Sequence, residues 1–319
     1  MVKALILHGG AGSWRASKVR DKALETMKKC TIEAWNVLDE KNNSVEAVVY
    51  AIKCMEDSGY LNAGVGSVPD ILGNRTLDAG VMASNGMLGA VAGVTKTKNP
   101  VVLAKIVAEE TPHIIIGGYG ADELAVAKNL PILPPPPKHV MERYYEGLQK
   151  LFKGEIRSEF WRGIWRFIEN NKDYLEAVKR IIDTSDTVGA VAVDDNGVLA
   201  AAVSTGGVIF KLPGRIGDSP IPGAGFYADE NVACSATGFG EMIIKTMPCK
   251  MLSELIRQGM KFKEAVNEVI SRANELVGKD TMGFIAVSKD GEIGWAYNTE
   301  AMLIGYITRK GEVFVSFKP

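Results

Sequence analysis

The sequence predicts an α+β fold in which helices cover largely antiparallel sheets. Apolar, strand-like runs joined by short Gly-containing turns gather at both ends of the chain, and helix-like spacing of apolar residues fills much of the region between them. Segregated strands and helices are typical of α+β folds, whereas regular alternation of strand and helix indicates a parallel sheet. The 319 residues suffice for about two average domains or one large one.

The N-terminal part is predicted to hold a strand, several helices and a hairpin. Residues 2–7 are an apolar run that predicts a buried strand, and His8-Gly9-Gly10-Ala11-Gly12 predicts a tight turn after it. Residues 76–94 alternate around Asn85-Gly86, which is the signal of a hairpin turn. Helical spacing is found in 19–57, where Asn43-Ser44 can cap a second helix over 45–55, in 100–110 and in 121–128.

Residues 131–186 differ in composition and are predicted to form a linker or covering segment. The prolines at 131 and 134–137 predict a stiff extended stretch, and residues 138–186 are charged and helix-prone. Three aromatic side chains of this segment are expected to pack along one face; they are Trp161, Trp165 and Phe167.

From residue 187 the pattern returns to strands. Three hairpins are predicted, at 188–193 with 198–203, at 284–287 with 293–297, and at 303–308 with 313–317, and residues 241–277 are predicted to be helical. Two antiparallel strands joined by a tight turn bring their far ends together. We therefore expect Thr187 and Thr205 to lie at the same end of one sheet.

Charge and hydropathy exclude several classes of partner. The 37 Lys and Arg nearly balance the 38 Asp and Glu, so the chain has no strongly basic field for nucleic acid. The longest uncharged stretch, 79–95, is interrupted by polar residues and glycines, which disfavours a membrane span. The apolar run at 4–7 is too short for a signal-peptide core, so we expect a cytoplasmic protein.

Few residues are available for metal or redox chemistry. The three histidines form no H-E-x-x-H motif, and the sequence contains no G-x-S-x-G, dinucleotide fingerprint or P-loop, so no catalytic cofactor is expected. The cysteines lack C-x-x-C spacing and are expected to be buried thiols; they are Cys30, Cys54, Cys234 and Cys249.

Four stretches place a hydroxyl or a charged group beside glycine, where we expect loops. Each one alone is an ordinary strand start, turn or surface ion pair, and only their joint order and spacing indicate a functional site. The stretches are Ser185-Asp186-Thr187-Val188-Gly189, Ser204-Thr205-Gly206-Gly207, Gly214-Arg215-Ile216-Gly217-Asp218 and Ala236-Thr237-Gly238-Phe239-Gly240-Glu241.

Taken in order, these stretches resemble the plant-type (type 2) asparaginase and isoaspartyl peptidase family of N-terminal nucleophile hydrolases. The resemblance extends from the first strand to the last and is weak only at about 131–182. Further motifs that carry it are Leu7-His8-Gly9-Gly10-Ala11-Gly12, Leu61-Asn62-Ala63-Gly64-Val65-Gly66, Leu77-Asp78-Ala79 through Gly89-Ala90-Val91-Ala92-Gly93-Val94, and Asn298-Thr299-Glu300-Ala301-Met302.

The resemblance implies a single domain (1–319) with a four-layer αββα sandwich, made as a precursor that cuts itself between Asp186 and Thr187. The products would be an α chain (1–186) and a β chain (187–319), assembled as (αβ)2. Cleavage would expose the α-amine of Thr187, whose pKa of about 7.7–8 suits a general base for its own hydroxyl.

The resemblance also implies how substrate is bound. Thr205 would tune the Thr187 hydroxyl, while Arg215 and Asp218 would bind the α-carboxylate and α-ammonium of an aspartyl head group. The remaining site residues are Thr237, Gly238 and Asn62 at the oxyanion hole, with Thr237 and Gly238 also contacting substrate, and Gly240 at the α-amino group. A structural sodium ion is implied on the main-chain carbonyls of Met55, Glu56, Ser58, Leu61, Ala63 and Val65.

The predicted activity is hydrolysis of L-asparagine and of β-aspartyl (isoaspartyl) dipeptides through a β-aspartyl ester of Thr187. Asp186 departs from the Gly that is common before the nucleophile in this family, and it resembles taspases, which cut after Asp, and glycosylasparaginases. The loop 219–225 also resembles that of glycosylasparaginases. A taspase-like endopeptidase, a glycosylasparaginase-like amidase and a precursor without activity are the alternatives.

Overall fold

The computed structural model describes residues 3–12, 14, 19–153, 155, 159–171, 187–307 and 311–318. The strands are β1 (Ala4–Gly12), β2 (Leu77–Ala83), β3 (Leu88–Val94), β4 (Ile115–Gly117), β5 (Thr187–Val193), β6 (Leu199–Thr205), β7 (Phe226–Ala228), β8 (Val232–Gly238), β9 (Met282–Ser288), β10 (Ile293–Tyr297), β11 (Ala301–Ile307) and β12 (Val313–Ser316). The helices are α1 (Arg20–Lys41), α2 (Ser44–Ser58), α3 (Pro100–Glu110), α4 (Gly118–Ala127), α5 (Lys138–Phe152), α6 (Glu159–Glu169), α7 (Gly240–Thr246), α8 (Pro248–Arg257) and α9 (Phe262–Val277). A 3-10 helix covers Gly64–Gly66.

The strands form two sheets. The larger sheet has eight strands in the order β12-β11-β1-β5-β6-β2-β3-β4, and the smaller has four in the order β10-β9-β8-β7. Strands β3 and β4 pair in parallel, and the other described pairs are antiparallel. The prediction of an α+β fold with largely antiparallel sheets is confirmed.

The larger sheet is buried on both faces because small and apolar residues occupy most positions of its central strands, including positions on both faces. In β1, Leu5 and Leu7 share a core cluster with Met27 of α1. The alternate residue Ile6 shares a different cluster with Ile285 of β9, in the smaller sheet. This alternation follows from the two-residue period of a strand, which sends successive side chains to opposite faces.

The smaller sheet packs helices on its other face. Phe284 of β9 and Val232 of β8 lie in one cluster with Leu252 of α8 and Val266 of α9. The two sheets approach closely because Gly80 of β2 lacks a side chain. A Cβ at that position would lie 2.2 Å from the Phe226 ring.

Local sequence signals predicted several elements correctly. The side chain of Asn43 accepts the Glu46 N–H at 3.0 Å and caps α2, as expected for this residue type. Hairpins form around Asn85-Gly86 and in the three predicted C-terminal regions. In three places the prediction was incomplete: residues 241–277 contain more than one helix, and neither strand β4 nor the β7–β8 hairpin was predicted.

The predicted turn at residues 8–12 was wrong. Strand β1 continues through it to Gly12 and pairs with β11 on both sides of a register irregularity between His8 and Ala11. Gly10 has a φ of 112°, which glycine adopts without a steric penalty. The glycines therefore permit an irregular strand rather than ending it.

The described part of the covering segment packs its helices over the loops near one end of the larger sheet. Trp161 and Trp165 pack against a cluster that contains Tyr144 and Phe210. The expected packing of Phe167 was wrong, since this side chain is 42% exposed. Helical spacing explains the difference: positions 161, 165 and 168 share a face, and residue 167 lies off that face.

The expectation that all four cysteines are thiols was wrong for one pair. Helices α1 and α2 pack together and bring the Cα atoms of Cys30 and Cys54 within 5.6 Å, and the two residues form a disulfide. Cys234 and Cys249 are buried free thiols, as predicted. Within the described residues, no helix is both long enough and apolar enough to cross a bilayer.

Reduction of the disulfide is expected to destabilise the protein. The bond closes a loop across a sequence separation of 24 residues, so breaking it should lower the free energy of unfolding by about 3 kcal/mol. Urea unfolding with and without reductant measures the change, and the Cys30→Ser/Cys54→Ser variant, which should not respond to reductant, is the control. Finding four reactive thiols rather than two in the denatured, unreduced chain would contradict this pairing.

Candidate active site

The hydroxyls of Thr187 and Thr205 meet at one end of the β5–β6 hairpin. The two residues are paired across the strands, and their Oγ1 atoms lie 3.0 Å apart in a buried position. The prediction that they share one end of a sheet is confirmed. Both are the terminal residues of strands, so the expectation that Thr205 lies in a loop was wrong.

Backbone and amide groups surround Thr205 from the side away from Thr187. The Gly207 N–H donates to Thr205 Oγ1 at 2.9 Å, and Asn62 Nδ2 lies 3.5 Å from the same oxygen. Asn62 is itself fixed, because its Nδ2 donates to the Gly207 carbonyl at 2.9 Å and its Oδ1 accepts the Val68 N–H at 2.9 Å. Because Thr205 Oγ1 accepts hydrogen bonds from these groups, its own hydroxyl hydrogen can be donated to Thr187 Oγ1.

Thr237 and Gly238 lie at the end of β8, in the smaller sheet, and not in a loop as predicted. Thr237 Oγ1 accepts the Ala11 N–H at 3.3 Å, which links the two sheets beside the paired threonines. Gly238 has a φ of 139°, and a Cβ there would lie 2.3 Å from the Thr281 carbonyl oxygen. A side chain is therefore excluded at this position.

Arg215 and Asp218 converge on Gly240. A Cβ on that glycine would lie 2.7 Å from an Arg215 guanidinium nitrogen and 2.9 Å from Asp218 Oδ1. Arg215 is held by Glu241, which accepts from its Nε at 2.9 Å and from Nη2 at 2.8 Å. Sequence reasoning missed this function of Glu241, although the residue ends one of the four stretches.

Asp218 is a buried carboxyl without a full set of partners. Its Oδ2 atom has no hydrogen-bond partner among the described residues. Burial raises the pKa of Asp218 to about 7, against the opposing effect of the Arg215 charge. A buried carboxylate in this state is costly unless a positive group is supplied to it. The arrangement is suited to an ammonium group that enters from solution.

His8 lies beneath the start of β5 and does not line the cavity. Its Nε2 atom is 3.3 Å from Ser235 Oγ, and a Cβ at Gly189 would be 2.1 Å from the same nitrogen. Burial lowers the pKa of His8 to about 3, and its Nδ1 atom has no hydrogen-bond partner among the described residues. The imidazole is therefore neutral at pH 7 and supports the strand that carries Thr187.

A cavity of about 460 Å³ joins these groups. The predicted site residues that line it are Thr187, Thr205, Arg215, Asp218, Thr237, Gly238 and Gly240. Asn62 lies behind Thr205, and Asp186 falls outside the described residues. Sequence reasoning missed the apolar and charged parts of the lining, which are Val208, Ile209, Phe239, Trp161, Arg143, Asp280 and Glu300.

The segment predicted to hold sodium comprises the last turn of α2, which carries Met55, Glu56 and Ser58, and the tightly wound loop that follows the helix. A Cβ at Gly64 would lie 2.7 Å from the Glu56 carbonyl oxygen, and one at Gly66 would lie 2.3 Å from that of Leu61. Several of the predicted carbonyls already accept a hydrogen bond: Met55 from Ser58 Oγ at 2.8 Å, Leu61 from the Ala63 N–H at 2.8 Å, Ala63 from the Gly66 N–H at 3.1 Å, and Val65 from the Arg75 guanidinium at 3.0 Å. In the described part of the chain, no three His, Cys, Asp or Glu side chains cluster as metal ligands.

Comparison with known proteins defines the class of this protein as a hydrolase. The asparaginase family model matches residues 1–315, and the chain belongs to this family. A plant-type L-asparaginase of Pyrobaculum calidifontis is 40% identical over 311 residues, covering 97% of this chain and 98% of that protein. The plant-type L-asparaginase of Pyrococcus horikoshii is 39% identical over 305 residues, covering 95% and 96%. The isoaspartyl peptidase of Salmonella typhimurium is 34% identical over 310 residues, covering 95% and 94%.

Replacing Asp218 by Asn is expected to change how stability depends on pH. The pKa is raised on folding, so the folded chain retains a proton that the unfolded chain loses between the ordinary value of 3.8 and about 7. The free energy of unfolding therefore falls as pH rises through that window, by at most about 4 kcal/mol from this group. Asp218→Asn should remove this fall.

Urea unfolding between pH 4 and 8 checks this expectation. Both chains would carry Thr187→Ala so that they remain uncut. Parallel pH profiles with and without Asp218→Asn would show that the carboxyl titrates normally in the folded chain.

Proposed function

We propose that this protein is an autoprocessing threonine amidohydrolase that hydrolyses L-asparagine to aspartate and ammonia and cleaves β-aspartyl dipeptides. The observation that carries the proposal is the contact of 3.0 Å between Thr187 Oγ1 and Thr205 Oγ1 in a cavity that also exposes Arg215 and Asp218. The names of the relatives, L-asparaginase and isoaspartyl peptidase, support the same substrates.

Maturation would begin with attack of Thr187 Oγ1 on the carbonyl carbon of Asp186. The peptide nitrogen of Thr187 leaves with a proton, which converts the amide into an ester, and water then hydrolyses the ester. The products are an α chain (1–186) that ends in a carboxylate and a β chain (187–319) with a free α-amine. The core clusters, in which helices cover the outer faces of two packed sheets, support a single αββα sandwich of the N-terminal nucleophile type.

In the mature enzyme the α-amine of Thr187 would remove the proton of its own hydroxyl. Its usual pKa of about 7.7–8 leaves a useful fraction neutral at pH 7. Thr205 would donate to the developing alkoxide, as the buried contact between the two hydroxyls allows. The oxygen would attack the β-carbonyl carbon of the substrate, and ammonia or an amino acid would leave with the transferred proton. Water would then hydrolyse the β-aspartyl ester.

The charged groups account for the selectivity of this reaction. Arg215, oriented by Glu241, would bind the substrate α-carboxylate, and Asp218 would bind the α-ammonium over Gly240, which leaves room for it. Thr237 and Gly238, together with Asn62, would stabilise the oxyanion. An aspartyl residue in the middle of a peptide has no free ammonium, so Asp218 disfavours a taspase-like endopeptidase.

Substitution of Thr187 tests the function. Wild-type chain should appear as two fragments on denaturing gels after prolonged heating, and the processed protein should release ammonia from L-asparagine and leucine from β-Asp-Leu. Thr187→Ala should stay at full length and lose activity by several orders of magnitude, because it lacks the nucleophile. Thr187→Ser, which retains a hydroxyl, is the matched control and should keep partial cleavage and activity.

Several outcomes would overturn this proposal. They are an intact wild-type chain, equal behaviour of Thr187→Ala and wild type, or no turnover of either substrate by processed protein. Cleavage of an internal Asp-containing peptide would instead identify a taspase-like enzyme. Release of aspartate from a glycosylated asparagine in preference to L-asparagine would identify a glycosylasparaginase-like enzyme.

A structural sodium ion on the last turn of α2 and the loop after it is also proposed. The carbonyls of Met55, Glu56, Ser58, Leu61 and Ala63 fit a hard cation, since carbonyl oxygens suit such ions and each has two lone pairs. The Val65 carbonyl fits in the same way, because like those of Met55, Leu61 and Ala63 it accepts a protein hydrogen bond and keeps a second lone pair. The ion would order the loop that leads to Asn62. Exchange of sodium for tetramethylammonium should lower Tm, and an unchanged Tm would count against the site.

Assembly as (αβ)2 is proposed from the family resemblance. Sedimentation of the processed protein measures it directly, and a single αβ unit at micromolar concentration would contradict it.

A further inference from the structure

The cavity extends beyond the groups that the proposed hydrolysis requires. Its additional wall contains two residues of the covering segment, Arg143 of α5 and Trp161 of α6, beside Val208 and Ile209. The ammonia released from asparagine has no side chain to contact such a wall. An amino acid released from a β-aspartyl dipeptide has both a side chain and a carboxylate.

The apolar part of this wall is held in place. Trp161 Nε1 donates to the Ile209 carbonyl at 3.1 Å, and the Trp161 and Phe239 rings form a T-shaped contact with a centroid separation of 5.7 Å. Phe239 follows Gly238 directly in the chain. The apolar surface thus begins next to the predicted oxyanion hole.

Arg143 supplies a cation to the same cavity. Its side chain is half-buried, and within the described part of the chain no hydrogen bond or ion pair involves its guanidinium. Arg215, in contrast, is already held by Glu241. A guanidinium offers a planar fork of donors that matches a carboxylate in bidentate geometry.

Helix α5 holds Arg143 through contacts that do not depend on the proposed cleavage site. The neighbouring Tyr144 is fully buried and donates its hydroxyl to the Asp70 carbonyl at 2.6 Å. His139 Nε2 lies 2.9 Å from the Gly59 carbonyl oxygen. Both contacts lie entirely within residues 1–186, so the helix would keep its place after the chain is cut at Thr187.

The acidic residues of the cavity also favour a leaving group whose carboxylate lies at Arg143. Asp280 and Glu300 also line it, and they would repel a carboxylate placed beside them. The cations among the described lining residues are Arg143 and Arg215. Because Arg215 serves the aspartyl head group in the proposed reaction, Arg143 remains for a second carboxylate.

We propose that Arg143 binds the α-carboxylate of the amino acid that is released from a β-aspartyl dipeptide, while Trp161 and Ile209 contact its side chain. The covering segment then forms a leaving-group subsite and determines specificity for dipeptides over asparagine. This inference rests on the proposed function, and it assigns to that function residues outside the stretches that carry the family resemblance.

The test compares three substrates: β-Asp-Leu, its C-terminal amide β-aspartyl-leucinamide, and L-asparagine. Arg143→Gln should raise KM for β-Asp-Leu on the order of ten- to a hundredfold, as expected for loss of a charged hydrogen-bonded pair. KM for the amide and for asparagine should stay within about twofold, because neither offers the leaving-group carboxylate. Arg143→Lys should recover part of the loss.

Lys150→Gln is the matched control, since it removes one positive charge from the exposed side of the same helix. It should leave all three KM values unchanged, and rates should be normalised to the amount of cleaved β chain. Equal losses on β-Asp-Leu and its amide in Arg143→Gln, or no loss on either, would overturn the inference. Wild-type turnover of asparagine without any turnover of β-Asp-Leu would also overturn it, whereas failure on all substrates would count against the proposed function itself.

Discussion

The register between β5 and β6 is the constraint on which the site depends. A shift of one residue would turn the Thr187 side chain to the opposite face of the sheet and separate it from Thr205. The turn between the strands prevents this, because Asp194 accepts the backbone N–H groups of Asn196 and Val198 at 2.9 and 3.1 Å. Its other carboxylate oxygen accepts the Ser44 N–H at 3.0 Å and connects the turn to the start of α2. The position of the proposed nucleophile is thus set at the far end of its hairpin.

The charged groups of the cavity are arranged at the expense of stability. Arg215 has its carboxylate partner in Glu241, whereas Asp218 is buried with one oxygen unpaired among the described residues. Such a carboxyl is stabilised when a ligand supplies the missing charge, so the site would bind an ammonium group with little rearrangement. The paired Arg215 and the incompletely paired Asp218 together match the two charges of the zwitterion that the cavity is proposed to bind. Proteins commonly place this kind of energetic cost at functional sites.

Sequence reasoning succeeded where the signal was local and failed where it depended on distant contacts. Asn85-Gly86 and Asn43 act within a few residues, so a hairpin and a helix start could be predicted from them. The Cys30–Cys54 disulfide and the Arg215–Glu241 pair join residues 24 and 26 positions apart, and spacing alone does not show such pairings. Phe167 was misplaced because its aromatic character was given more weight than its position on α6. Most residues that line the cavity belong to the motifs that carry the family resemblance. Arg143 and Trp161 were not predicted to line it, because the resemblance is weak in their segment.

The strand order has a consequence for how a cut chain would behave. In the larger sheet, β1 lies between β11 and β5, and β6 pairs with β2, so strands from either side of Thr187 alternate three times across the sheet. Two polypeptides arranged in this way cannot separate as rigid bodies; each would have to unfold first. The uncut chain folds as one molecule, but two cut chains must find each other again in solution. Processing would thus turn a reversible folding reaction into a concentration-dependent one, so that survival of the mature enzyme is governed by its rate of unfolding.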